Sequence, residues 1–377
     1  MRIITIIGAR PQFVKAAIVS RYIRLHNDNS SIHIEEKILH TGQHYDYNMS
    51  QVFFEQMGIP TPTWHLGCTN DVACMRDAII PLIDGQADYI MVYGDTNSTL
   101  AGALAAEACI IPLIHIEAGL RSYNMEMAEE YNRIETDKRA ALLFCPTYTA
   151  VENLRKEGIT QGVYHVGDVM YDATLYFAQQ ADNRSTILHQ LNISPKQYYL
   201  ATIHRAQTTD NINRLSNILS AFLQVQMPII LPLHPRTRKV IEQSDTLTRL
   251  VQNTSHLHII DSVSYLDMLL LEKHAALILT DSGGVQKEAY FHHTPCITMR
   301  DETEWIETIS AGWNMIVGTD TARILHAIQH PKQPQNEITE YGCGKAAANI
   351  IQILCQNEYG YYVKPLLHQP SVRVSLR

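Results

Sequence analysis

The sequence predicts an α/β protein built from two doubly wound parallel sheets, and three observations carry that prediction. Short apolar runs such as Arg2 to Ile7, Tyr89 to Tyr93 and Leu277 to Leu279 are almost free of polar residues, as strands covered by helices on both faces are. Each is followed by a glycine or polar turn and then by a stretch with helical spacing. The chain has 377 residues, too many for one ordinary core and enough for two domains at roughly 150 residues each.

Taken in order, Arg2 to Ile7 is the first strand and Gly8-Ala9-Arg10-Pro11-Gln12 turns the chain. Pro11 suits a first helical turn, and Phe13, Val14, Ala17, Ile18 and Tyr22 continue the helix. Arg10 and Lys15 then sit at the helix mouth beyond the strand's carboxyl end, where they serve an anionic ligand or are ordinary surface charges. Ile34 to Leu39 is the next strand, and the polar run His40 to Asp46 after it reads as a site rather than a spacer. Asn48 to Met57 is expected to be helical, Thr61 to Asp71 is irregular, and Val72 to Ile83 reads as a helix interrupted near Pro81.

Tyr89 to Tyr93 leads through Gly94-Asp95-Thr96-Asn97-Ser98-Thr99 into the small-residue helix Leu100 to Ala108, which suits close packing on a sheet. Pro112 to Ile116 is a strand ending in Glu117-Ala118-Gly119-Leu120-Arg121. Arg10, His44, Asp95 and Glu117 thus all fall just beyond carboxyl ends of predicted strands, the edge where open α/β sheets bind ligands. A helix from Met127 to about Leu143 puts Glu129 and Arg133 four apart on one face; the bland reading is a surface ion pair worth ~0.3–0.5 kcal/mol. Leu142 to Cys145 and Ala150 to Glu157 complete the first half.

Tyr164 to Val166 opens the second half, with Gly167-Asp168 preceding a helix to about Gln180. Strands follow at Tyr198 to Ile203, ending in His204-Arg205; at Ile229 to Leu233, ending in His234-Pro235-Arg236; at His258 to Ile260; and at Leu277 to Leu279. The stretch Leu277 to Met299 reads as strand, glycine turn, helix, loop and strand. Gly283 and Gly284 permit a tight turn, Ser282 caps the helix or donates to a phosphate, and the helix start offers N–H groups to an anion. Glu288, further along that helix, is placed to reach the hydroxyls of a ribose. A βα turn that binds nothing has the same signature, since short glycine-rich turns are weak motifs.

Composition narrows the classes. A formal net charge of −8 and a pI near 6.1 lack the basic footprint of a general nucleic-acid binder. No apolar run reaches the ~18 residues of a membrane span, and the first apolar run is too short for a signal peptide, so a cytoplasmic protein is expected. The seven cysteines lack paired short spacings, and no HExxH or close His/Cys/Asp cluster occurs among 18 histidines. Free thiols and no metal are expected.

Together, GARPQFVKAA, HTGQHYDYNMS, VYGDTNSTLAGALAA, HIEAGLRS, EEYNR, VGDVMYDA, HRA, LPLHPRTR, LTDSGGVQKEA, MRDETEW and YGCGKAA resemble the non-hydrolysing UDP-N-acetylglucosamine 2-epimerases, in order from residue 8 to about 347. The resemblance implies two Rossmann-like domains of the glycosyltransferase-B type, 1–165 and 166–345, with the C-terminal helix, about 346–377, returning to the first and a UDP-sugar in the cleft between them. It implies a homodimer, no metal or nicotinamide cofactor, and epimerisation at sugar carbon 2 by loss of UDP to a 2-acetamidoglucal and its re-addition. Asp95, Glu117, Glu129 and His204 fall in the family's catalytic group. Arg10, Lys15, Ser282, Gly283, Gly284 and Glu288 fall in its nucleotide group, and Arg133 near the reacting sugar. Gln43, His44 and His234 match positions where some relatives hold a second, activating UDP-sugar.

The chain departs from the family pattern at Ala128, where a proline is common, and at Gln207, where a glutamate is common. The wording of GARPQFVKAA, of Asp301-Glu302-Thr303-Glu304-Trp305 and of Gly312-Trp313-Asn314 is closer to one branch. That branch epimerises UDP-2,3-diacetamido-2,3-dideoxyglucuronate for surface polysaccharides; UDP-N-acetylglucosamine is the alternative substrate. A hydrolysing 2-epimerase, a glycosyltransferase of the same fold and a non-catalytic UDP-sugar sensor are the competing classes.

Overall fold

The computed structural model describes residues 1–43, 54, 56–68, 70–252, 256–332, 334 and 336–357. Its strands are β1 (Arg2–Ile7), β2 (Glu35–His40), β3 (Trp64–His65), β4 (Tyr89–Tyr93), β5 (Leu113–Ile116), β6 (Leu142–Cys145) and β7 (Val163–His165). They are followed by β8 (Tyr199–Thr202), β9 (Ile229–Leu233), β10 (Leu257–Asp261), β11 (Leu277–Thr280), β12 (Cys296–Thr298) and β13 (Asn314–Ile316). They form two sheets, ordered β3-β2-β1-β4-β5-β6-β7 and β10-β9-β8-β11-β12-β13, and every described pairing is parallel. Five of the six residues of β1 are buried, and all of β5, β6 and β11. This is why these segments read as unbroken apolar runs rather than as alternating ones.

Strand order reverses between β1 and β4 in the first sheet and between β8 and β11 in the second, with Ile3 opposite Tyr89 and Ile278 opposite Leu200. At such a switch point the neighbouring loops leave the sheet in opposite directions and open a crevice beyond the strand ends. Arg10 and Asp95 flank the first switch point; His204 and Ser282 flank the second.

Three differences from the sequence reading have physical causes. The helix Val72–Ile83 runs unbroken through Pro81. Proline removes the bond to the carbonyl four residues back, and since Asp77 and Pro81 are both exposed, water can satisfy that carbonyl. β3 and β13 were not foreseen because strands of two and three residues leave too little periodicity. The helix at Ala128–Arg139 ends four residues before Leu143, since Ala140 to Cys145 turns into β6. The expected helix Asn48 to Met57 lies largely outside the described residues.

Between the sheets runs the helix Val169–Arg184, capped by Asp168, whose Oδ1 accepts from the Met170 N–H at 2.7 Å. It packs on the helix Arg10–Asn29 of the first sheet and on Tyr265–His274 of the second. The last described helix, Ala346–Asn357, packs on Arg10–Asn29. The free N–H groups of Ala346 and Ala347 at its start donate to Asp172 at 3.1 and 2.8 Å, a side-chain answer to unsatisfied helix-end donors. Burial pushes the Asp172 carboxyl up to about 6, against those two bonds. Residues 358–377, the remainder of the expected C-terminal segment, lie outside the described residues.

Candidate functional site

The first sheet supplies a charged edge. Glu117, directly after β5, takes a left-handed φ of 71° while its N–H and that of Ala118 both donate to the Phe144 carbonyl, at 3.0 and 3.1 Å. Left-handed backbone is uncommon for a residue other than glycine and is held by its surroundings. Those surroundings are a buried network. His115 Nδ1 lies 2.7 Å from Asp137 Oδ1 and its Nε2 2.8 Å from the Gly94 carbonyl. Arg121 and the Gly119 N–H both donate to Asp137 Oδ2. Burial opposes the charge on Asp137, but His115 and Arg121 hold its carboxyl below the ordinary range.

Glu117 itself pairs with the buried Lys15. Asp95, after β4, accepts from Arg133 at 2.5 Å, and the same guanidinium lies 3.1 Å from Glu130. Arg133 is 2% exposed, so the surface Glu129–Arg133 pair considered from spacing is replaced by a cluster of buried Arg133 and Glu130 with the half-buried Asp95. Glu129 instead accepts from Arg205 of the second sheet at 3.1 Å. Asn132 fastens the loop by donating to the Asp95 carbonyl at 3.0 Å.

The second sheet supplies a backbone edge. Asp281, fully buried after β11, accepts from the N–H groups of His204 and Arg205 at 3.0 Å each. This fixes the loop after β8 beside the glycine turn. The His204 imidazole is held below its ordinary range, first by burial and, against the pull of Asp281, by Arg205, Arg10 and Arg300. Ser282 caps the helix Gly283–Phe291. Gly283 has no room for a side chain, because a Cβ there would run into Glu304 Oε1 and come within 3.4 Å of Trp305 Nε1. Glu304 lies 3.2 Å from Arg300 and 4.0 Å from Arg205. Burial notwithstanding, Arg300, Arg205 and Arg133 keep its carboxyl below the ordinary range. Arg300 also lies 3.7 Å from Glu302, so its buried guanidinium is held between two carboxylates.

The remaining sequence candidates sit on loops and helices that follow strands of the two sheets. Arg10 opens its helix half-buried; burial lowers its guanidinium against the fields of Glu288, Glu272 and Tyr265. Glu288 is buried and pushed above the ordinary carboxyl range by that burial, against Tyr265, Arg10 and Lys287. A Cβ at Gly284 would meet only Ser282 Oγ, at an ordinary contact distance of 3.9 Å. Gln43 accepts from the Ser98 hydroxyl at 2.7 Å, and the His234 ring lies 5.5 Å from the His204 ring. His44 lies outside the described residues. Sequence reasoning gave no role to Arg205, Asp281, Lys287, Arg300 or Glu304, although all five stand inside motifs it had singled out.

A family model described as UDP-N-acetylglucosamine 2-epimerase matches residues 25–355. The chain belongs to the UDP-N-acetylglucosamine 2-epimerase family. Among its relatives in that family, a UDP-N-acetylglucosamine 2-epimerase homolog of Methanococcus maripaludis is 46% identical over 94% of this chain and 99% of its own length. The UDP-2,3-diacetamido-2,3-dideoxy-D-glucuronate 2-epimerase of Pseudomonas aeruginosa is 44% identical over 94% of this chain and all of its own. The crystal structure of the Methanocaldococcus jannaschii UDP-GlcNAc 2-epimerase in complex with UDP-GlcNAc and UDP superposes with a TM-score of 0.86 at 36% identity, covering 94% of this chain and 100% of that one. The epimerase chain is therefore an isomerase by family, with the two Rossmann-like sheets of the glycosyltransferase-B fold. Among its described residues no helix is long and apolar enough to cross a membrane.

Proposed function

We propose that the protein inverts carbon 2 of a UDP-2-acetamido sugar without hydrolysing it, in the cleft between a domain formed by 1–165 with the last helix and a nucleotide domain formed by 166–345. The observation that carries this reading is the meeting of two unlike edges. Carboxylates from the ends of β4 and β5 and the following helix lie beside a glycine turn, a buried glutamate and arginines from the ends of β8, β11 and β12. A diphosphate belongs on the second edge, where Ser282, Gly283 and the helix start present N–H groups, with Arg10 and Lys15 facing it from the first. Glu288 suits the ribose.

In the reaction, a carboxylate of the group Asp95, Glu117 and Glu129 takes the carbon-2 proton. The electron pair of that C–H bond forms the carbon 1–carbon 2 double bond, and UDP leaves carbon 1 with the pair of the C–O bond. A proton then returns to the opposite face of carbon 2, and a phosphate oxygen of UDP attacks carbon 1. Charge developing on the diphosphate is met by fixed cations and N–H dipoles in an enclosed site, where they act more strongly than in water. His204, in the same cleft, contributes a neutral imidazole.

For the sugar, we favour UDP-2,3-diacetamido-2,3-dideoxyglucuronate. The 44% identical Pseudomonas aeruginosa relative supports it. UDP-N-acetylglucosamine is the second reading, supported by the 46% and 36% identical relatives. Incubation with each UDP-sugar in D₂O, followed by NMR at carbon 2, tests both levels. Deuterium at carbon 2 in both epimers is expected. Retention of the original hydrogen would remove the elimination mechanism, and a higher kcat/KM for UDP-N-acetylglucosamine would reverse the substrate choice.

A further inference from the structure

Lys287 stands four residues after Gly283 in the helix of the glycine turn and is 1% exposed. Its Nζ lies 2.6 Å from Asp168 Oδ2, 3.7 Å from Glu117 Oε2 and 3.8 Å from the centre of the Trp305 ring. Trp305 in turn approaches Gly283. One ammonium of the second sheet's nucleotide-side helix therefore touches a carboxylate at the end of the first sheet and the cap of the helix that joins the sheets. Together with Lys15 it makes a chain of two cations and two carboxylates, Lys15–Glu117–Lys287–Asp168. Burial opposes the charge on Lys287, but Asp168 and then Glu117 hold its ammonium above the ordinary lysine range.

A buried ion pair is weak evidence of a stabilising role, because well-packed apolar residues of the same volume often serve as well. What an apolar residue cannot do is hold a carboxylate oxygen at one point. Glu117 already has a left-handed backbone and a fixed carbonyl partner, and Lys15 and, at 3.7 Å, Lys287 hold the other end of its side chain by charge.

Resting on the epimerase reading above, we propose that Lys287 is a positioning residue for the reaction. It holds the Glu117 carboxylate at the reacting carbon and ties that position to the helix that seats the nucleotide. It acts through Glu117 and needs no contact with the sugar. Because Glu288 is its neighbour in sequence, the ribose seat and the cation that holds the reacting carboxylate are carried on one turn of helix.

The test separates positioning from simple packing. Lys287→Met alone strands the buried Asp168 and is expected to lower Tm. Lys287→Met with Asp168→Asn removes both charges and is expected to regain most of that Tm. If Lys287 positions Glu117, the double variant still loses ~10- to 10²-fold in kcat for carbon-2 exchange, the scale of a small misplacement of a reacting group. Its KM and its Kd for UDP by calorimetry stay within about 3-fold, the signature of an interaction that matters only in the transition state. The amide pair Lys287→Gln with Asp168→Asn keeps a hydrogen bond without charge and serves where the methionine variant folds poorly; the same loss of kcat is expected. Wild-type kcat in either folded double variant would overturn the proposal and leave Lys287 as a structural partner of Asp168. Absence of carbon-2 exchange in the wild-type protein would overturn the epimerase reading itself, with this proposal alongside it.

Discussion

At the ends of β4 and β5 the chain sets charge against charge, whereas at the ends of β8 and β11 it offers glycines and backbone amides steered by one buried aspartate. Both edges lie at a switch point of a parallel sheet, so topology alone would make them equivalent. What differs is how each is held. The charged edge depends on side chains holding side chains: Lys15 and Lys287 on Glu117, Arg133 on Asp95, Arg205 on Glu129. The backbone edge depends on close approach, with Asp281 gathering two N–H groups and Glu304 filling the space at Gly283. Side-chain clusters suit proton transfer because their members can change charge, while backbone amides suit a diphosphate because their dipoles are fixed.

The comparison is tested most sharply by neutralising the charged edge. Asp95→Asn, Glu117→Gln and Glu129→Gln are each expected to lower kcat by at least ~10²-fold, the scale of a lost acid–base group, with UDP affinity little changed. Wild-type turnover in all three would remove the chemistry from that edge. A smaller effect, of the opposite kind, is expected from Gly283→Ala. The added methyl must displace the Glu304 carboxylate and comes to 3.4 Å from Trp305 Nε1. Overpacking of this sort costs ~1–3 kcal/mol, so UDP binding by calorimetry should weaken by ~10-fold. An unchanged Kd would show that the turn has slack.

The smallest effect is expected at the far end of the same helix, at His292. Its Nε2 is buried without a hydrogen-bond partner among the described residues, and burial, followed by Lys273, pushes the imidazole down to about 3. As pH falls below an ordinary histidine value of about 6.5, the unfolded chain takes up a proton that the folded chain refuses until about 3. This contribution therefore removes stability on acidification, by at most about 1.4 kcal/mol per pH unit. His292→Gln should flatten urea unfolding midpoints between about pH 7 and about pH 5 relative to wild type. Parallel pH profiles in the two proteins would contradict the buried, neutral state.

Much of this contrast was legible in the sequence. Apolar strands, polar residues at their carboxyl ends and the Ser-Gly-Gly turn are local features. The partners were not legible. Glu129 and Arg133 have the spacing of an ion pair, yet each pairs elsewhere, because Arg133 is drawn inward by Asp95 and Glu130 while Arg205 arrives from the second sheet. Lys287 and Glu304 likewise acquire meaning only when loops distant in sequence meet. Periodicity encodes which face of an element is buried, but not which charge from another sheet will lie against it.

The docking of Ala346–Asn357 on Arg10–Asn29 also bears on how the protein is made. Ile350, Ile351 and Leu354 are buried, and Cys355 Sγ lies 3.4 Å from His26 Nε2 of the first helix. During synthesis the first sheet leaves the ribosome long before these residues exist, so its opening helix must carry an uncovered apolar strip while the whole second sheet is translated. The nascent first half is thus a sticky intermediate that only chain completion can seal, and severing the last helix would leave that strip open to aggregation rather than merely trimming an end.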